Sequence, residues 1–176
     1  ETGLFLSLDE DVVLDRPILA HHYTLGENVA SCPRHRVQIA SNAHAEVVLW
    51  SSATESSSGM VNAVFEAKVG AGARLGLDKV QHEQGAVYHL AHEHVVQEKD
   101  STFRIHTVTV QGHWVRNELN VIQQGSGAHT MMHGAYLPKA QEHVDNHTTM
   151  DHTKPHCTSS ELYKGIMYDR STAVFN

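Results

Sequence analysis

Between positions 61 and 69 the chain reads VNAVFEAKV, with apolar side chains at Val61, Ala63, Phe65, Ala67 and Val69 and polar ones at Asn62, Glu66 and Lys68. A period of two sends the apolar set to one face of an extended chain and the polar set to the other, a pattern hard to fit to a helix. FRIHTVTV at 103–110 mixes β-branched with polar residues and also predicts a strand. WVRNELNV at 114–121 alternates again and places Val115, Leu119 and Val121 on one side. Further strands are predicted over 36–39, 46–50, 74–79, 86–97, 128–136 and 172–175. Only SELYKGIMYD at 160–169 predicts a helix, with Ser160 as its cap and Gly165 as a weak point in its middle.

The strands also recur at a step. Small residues mark turn-to-strand boundaries in NAHAEVVL (42–49), GAGARLGL (70–77), KDSTFRIH (99–106) and GSGAHTMM (125–132). Taking Ala45, Ala73, Thr102 and Ala128 as equivalent points gives steps of 28, 29 and 26 residues, with a second strand about halfway through each. Stacked coils need such a step, because one coil cannot bury its own apolar face and is covered by the next. The prediction is a β-helix or other stacked-strand solenoid, with a sandwich or barrel of short strands as the alternative. After Ala128 the step is lost, and 136–169 reads as an interruption.

Composition narrows the picture mainly by exclusion. A length of 176 residues suits one domain with a sizeable core. A formal charge of −7, with 13 Lys and Arg against 20 Asp and Glu, argues against nucleic acid and anionic membrane as partners. Arg34 and Arg36 make only a small basic spot. Cys32 and Cys157 are too few for a disulfide framework and form no CxxC pair, which favours a reducing, cytoplasmic setting. No stretch approaches eighteen apolar residues, and no basic-then-apolar leader is present. Residues 1–4 begin inside a strand-like run and RSTAVFN stops as another strand begins, so the sequence reads as a core cut from something larger. An uncovered solenoid end would then favour a homodimer of the isolated core.

Histidine is the one chemically suggestive residue, with 16 in the chain. His92 and His94 share a strand face, with Glu98 further along it, and this resembles the first half of the cupin metal motif HxHxxxE. Position 105 is Ile where that motif wants Gly, and no second motif supplies a fourth ligand. A small cupin-like metalloenzyme using His92, His94 and Glu98 is therefore the alternative function; a polar strand face is the expectation. His21, His22 and His35 lie near Cys32 in sequence, but spacing alone does not bring thiol and imidazole together. HVDNHTTMDHTKPHC at 143–157 holds four histidines, two aspartates and a cysteine. His143 and His147 share a face in either a helix or a strand, and the threonines suit hydrogen-bonded ladders between stacked strands. His156 and Cys157 are the pair whose thiol and imidazole could face outward together. No GxGxxG, Walker A, GxSxG or HExxH motif occurs, and no paired carboxylates suggest a glycosidase.

The run QEHVDNHTTMDHTKPHCTSSELYKGIMYDRSTAVFN resembles the core of the SufB/SufD family of iron–sulfur cluster assembly proteins, in its SufD-type wording. RPILAHHYTLGENVASCPRHRV, AEVVLW and WVRNELNVIQQGSGAHTMMHGAYLP fit the same family in the same order, so the resemblance covers nearly the whole chain. It implies a right-handed parallel β-helix spanning 1–176, without the family's N-terminal and C-terminal helical regions. It implies a non-catalytic scaffold that pairs with a SufB-like subunit and works with a SufC-like ATPase, the cluster being assembled transiently by the whole complex. The family's interfacial Cys and His residues lie beyond the VFN segment and have no positions here. No catalytic, cofactor-binding or metal-ligating residue is therefore assigned to this chain.

Overall fold

The computed structural model describes residues 2–176, so Glu1, at the start of the strand-like run, lies outside the described residues. The first seven strands are β1 (Phe5–Leu8), β2 (Ile18–Thr24), β3 (Val29–Ser31), β4 (Arg34–Ile39), β5 (His44–Ala53), β6 (Ser58–Val69) and β7 (Arg74–Glu83). The next seven are β8 (Ala86–Gln97), β9 (Thr102–Gln111), β10 (Trp114–Gln123), β11 (His129–Tyr136), β12 (His143–His152), β13 (Thr158–Gly165) and β14 (Thr172–Phe175). They alternate between two sheets. One runs β1-β4-β6-β8-β10-β12-β14, with β3 also on β6; the other runs β13-β11-β9-β7-β5-β2. Every ladder is parallel, and the result is a right-handed β-solenoid of about six turns. Each turn takes one strand from each sheet, and the apolar faces of the two sheets meet across a lumen.

The step is real but its phase differs from the sequence reading. His44, Arg74, Thr102, His129 and Thr158 are successive ladder partners, so the steps are 30, 28, 27 and 29 residues. The equivalent inward positions are thus Ala43, Ala73, Ser101 and Ala128, all fully buried, in place of Ala45 and Thr102. The step also continues through 136–169. Trp114 pairs with His143 and His129 with Thr158, because the polar stretch 143–152 is itself a strand. The helix expected over 160–169 is absent. Its first half is β13, bound along its whole length to β11, and that ladder overrides a weak helical propensity.

One corner explains why small and Asx residues punctuate the coils. Asp11, Asn42, Gly72, Asp100, Gly127 and His156 all have φ between 55° and 73°. This is the left-handed region, which Gly, Asn, Asp and His enter most readily. The six stack in one column. Asn42 N donates to Ala71 O at 2.9 Å, Gly72 N to Lys99 O at 2.8 Å and Asp100 N to Ser126 O at 2.9 Å. Each left-handed residue thereby ties its turn to the one above.

Candidate functional site

The lumen is divided along its length. Beside the left-handed corner it is largely apolar, built from residues such as Val37, Leu75, Leu77, Phe103, Ile105 and Val121, with a buried cluster of Gln97, Ser101, Gln123 and Thr130 that bond to one another. Towards the opposite corner, where the chain turns at 54–57 and 84–85, the inward positions become polar. In RLGLDKVQHE the inward residues run Leu75, Leu77, Lys79, Gln81 and Glu83; in AVYHLAHEHVVQ they include His89 and Glu93 between Val87, Ala91 and Val95.

These buried groups bond to one another across coils. Lys79 Nζ donates to Glu93 Oε1 at 2.5 Å and to Asn117 Oδ1 at 2.8 Å. Asn117 exchanges bonds with Gln81, and its Nδ2 donates to Asn146 Oδ1 at 2.9 Å; Thr109 Oγ1 donates to Gln81 Oε1 at 2.7 Å. The network therefore crosses from β7 through β10 to β12. Nearby, His89 Nδ1 lies 2.7 Å from Glu83 Oε2, both side chains being shut off from solvent. A small cavity of about 30 Å³ lies among His22, His35, Lys79, His89 and Glu93, enough for a water molecule.

Burial sets the imidazoles of this cavity. It pushes His22 below its ordinary value; Glu83 opposes the shift, while His89 and His21 add to it. His35 is lowered by burial and then by His22, and its Nδ1 accepts from the Leu4 amide at 3.1 Å. Both rings are neutral in the fold at a pH where the unfolded chain would protonate them. Their contribution to stability is complete above about pH 6.5 and is lost as pH falls from there towards the lowered folded values, because the unfolded state binds more protons. The urea midpoint should drop between about pH 7.5 and about pH 5.5, and the double substitution His22→Gln, His35→Gln should flatten that slope. An unchanged slope in the double variant would show that the acid response arises elsewhere.

On the outer face the metal-like spacing dissolves. His92 and His94 do point outward from β8, but His92 Nδ1 lies 3.4 Å from Glu118 Oε2 on the next coil. Glu98 sits past the strand end and pairs with Lys68 at 2.8 Å. The cupin-like alternative is thus corrected twice: the fold is an open-ended solenoid and not a closed barrel, and the three residues do not converge. Among the described residues no group of three His, Cys, Asp or Glu could hold a metal ion. Arg116 instead organises this face. It donates to Glu118 Oε1 and, at 2.6 Å, to Asp145 Oδ2, and its hydrogen bond holds the Glu118 carboxyl below the usual carboxylate range.

The loud stretch 143–157 is used for stacking. His143 Nδ1 meets Thr172 Oγ1 at 2.6 Å on the next coil, and its ring stacks on Trp114 with centroids 5.7 Å apart. His147 Nε2 lies 2.8 Å from Asp145 Oδ1, and Asn146 ends the buried network. His156 is an exposed member of the left-handed corner, whereas the half-buried Cys157 thiol donates to Gly125 O at 3.3 Å, so the two do not form a pair. Cys32 is an exposed free cysteine, whereas His22 and His35 line the cavity and His22 Nε2 meets Ser31 Oγ at 3.0 Å. Sequence reasoning missed Lys79, Gln81, Glu83, His89, Glu93 and Asn117. Their signal was present, as polar residues in phase with the apolar ones along a strand.

A right-handed parallel β-helix whose coils are joined by an internal polar network defines a class of repeat-built solenoid folds. The comparison with known proteins places the chain within that class. The family model for the SUF system FeS cluster assembly, SufBD core domain, matches residues 22–176, and the chain belongs to this family. The iron–sulfur cluster assembly protein SufD of Escherichia coli (strain K12) is 28% identical over 165 residues, covering 92% of this chain and 39% of that protein. An iron–sulfur cluster assembly SufBD family protein of Mycobacterium leprae is 33% identical over 99 residues, 56% of this chain and 25% of its own length. A SufBD family protein of Synechocystis is 26% identical over 115 residues, 65% of this chain and 25% of that protein. The chain thus spans well under half the length of these relatives.

Proposed function

We propose that residues 1–176 form the β-helix core of a non-catalytic scaffold subunit for iron–sulfur cluster assembly. It pairs with a SufB-like subunit and works with a SufC-like ATPase in the cytoplasm. The observation that carries this reading is the family match over residues 22–176, on a fold whose coils are parallel-stacked throughout. A rigid solenoid suits such a role, because each coil contacts only its neighbours and leaves two long outer faces for other subunits. The cluster is cargo of the assembly in this reading, and ATP hydrolysis belongs to the partner. The test is co-expression of the tagged chain with SufB-type and SufC-type subunits, followed by affinity capture. Retention of the SufB-type subunit through a high-salt wash is expected. Failure to retain it, with the chain shown to be folded by circular dichroism, would defeat the pairing.

A further inference from the structure

Among the described residues, β4 is the only strand beside β1. The carbonyls of residues 2–8 take part in ordinary strand pairing. Thr2 O accepts from Arg34 N at 2.9 Å, Leu4 O from Arg36 N at 2.8 Å and Leu8 O from Ala40 N at 3.1 Å. The Leu4 amide differs, because its acceptor is a side chain, His35 Nδ1, at 3.1 Å. A backbone amide only donates, so Nδ1 presents its lone pair and the proton of the neutral ring sits on Nε2. Protonation of the ring places a hydrogen on Nδ1 as well. The bond is then lost, and two N–H groups point at each other.

The ring has little to gain from a charge. It projects inward from β4, in phase with Val37 and Ile39, and its ladder partner on β6 is Phe65. The ionisable groups around it are His22 from β2, Lys79 from β7, and His89 and Glu93 from β8, all on the walls of one cavity. Glu93 is held by Lys79, and Glu83 of β7 meets His89 through one oxygen. The second Glu83 oxygen has no partner, but it bears on His22 and not on His35. Residues 2–8, TGLFLSL, contain no ionisable side chain. Among the described residues, no carboxylate is therefore placed to receive a protonated His35, and burial and then His22 oppose its charge.

We propose that His35 is a proton-operated latch: its neutral ring holds residues 2–8 on β4, and protonation releases them. In the released state the ring meets water and regains its ordinary affinity for a proton. Opening of β1 is thereby coupled to proton uptake. Its equilibrium constant rises about tenfold for each pH unit below about 6.5, until the ring of the closed state itself titrates. Release uncovers the β4 edge and the end of the apolar cluster that Leu4, Leu6 and Leu8 complete.

Amide hydrogen exchange of the purified chain, corrected for the intrinsic dependence of exchange on pH, tests this. Protection of residues 4–8 should fall about fivefold or more between about pH 7.5 and about pH 5.5. Residues 158–165 serve as the reference, being an edge strand of the other sheet whose partner is β11, and should change less than about twofold. His35→Asn offers a carbonyl oxygen near the Nδ1 position and cannot titrate, so its protection at 4–8 should vary less than about twofold over the same range. A thermal melt confirms that the variant folds. No loss at 4–8, an equal loss at 158–165, or a loss undiminished in His35→Asn would overturn the proposal. The ring itself gives a check that needs no variant, through the long-range proton–nitrogen couplings of its imidazole. At about pH 7.5 they should report a proton on Nε2 alone, and a proton on Nδ1 there would also overturn it.

Discussion

Truncating either member of the Lys79–Glu93 pair, Lys79→Ala or Glu93→Ala, is expected to destabilise the chain by about 3–5 kcal/mol. The two side chains are only 6% and 4% exposed, so the partner left behind would be a charge held away from water. Lys79 also donates to Asn117, and removing it loosens the network that joins β7 to β12. The attraction itself is not the source of the penalty. Desolvation of both groups offsets most of it, and the cost arises when one is stranded. Lys79→Met combined with Glu93→Leu should accordingly cost less than either truncation, since neither charge is then stranded. Urea unfolding of the three variants measures this. Single variants within about 1 kcal/mol of the parent would mean that water reaches the pair and that the lumen is looser than its geometry shows.

Phe103→Ala is expected to cost about 3–5 kcal/mol, through lost burial and the cavity left between two fixed sheets. Phe103 is fully buried and belongs to the main apolar cluster of the lumen. Phe175 provides the contrast. It stacks on Tyr163 at 4.7 Å but keeps 45% of its surface exposed, and Phe175→Ala should cost about 1 kcal/mol or less in this chain. Thermal or urea unfolding of both variants checks the difference. Equal losses would show that the last coil is as tightly held as the middle ones.

Much of the architecture was legible in advance. The strands at 86–97 and 172–175 have the predicted limits, and the inward set Val61, Phe65, Ala67 and Val69 is buried as the alternation requires. Solvent exposure imposes a period of two on any half-buried strand, so it is written locally. The phase of the coils was not. Ala45 and Ala43 are both small and both buried, and only the pairing of His44 with Arg74 decides which one is the equivalent of Ala73. Polarity misled at two places. The stretch 143–152 carries too few apolar residues to advertise a strand, yet it is paired on both sides, by β10 and β14. SELYKGIMYD suggested a helix through Ser160 as its cap, yet 158–165 pairs along its whole length with β11.

The sequence by itself determined the kind of protein: strands at a near-regular step, an acidic chain without nucleotide-binding motifs, and runs that resemble one family. Local periodicity and residue type suffice for those, since each is set by neighbours along the chain. The tertiary structure alone decided which of the sixteen histidines are structural and which charges meet. His92 and Glu118 are 26 residues apart and meet only because consecutive coils stack in register. Arg36 lies opposite Glu66 for the same reason. A solenoid brings together side chains about one coil apart, and that distance depends on each turn's length, which sequence alone leaves unfixed.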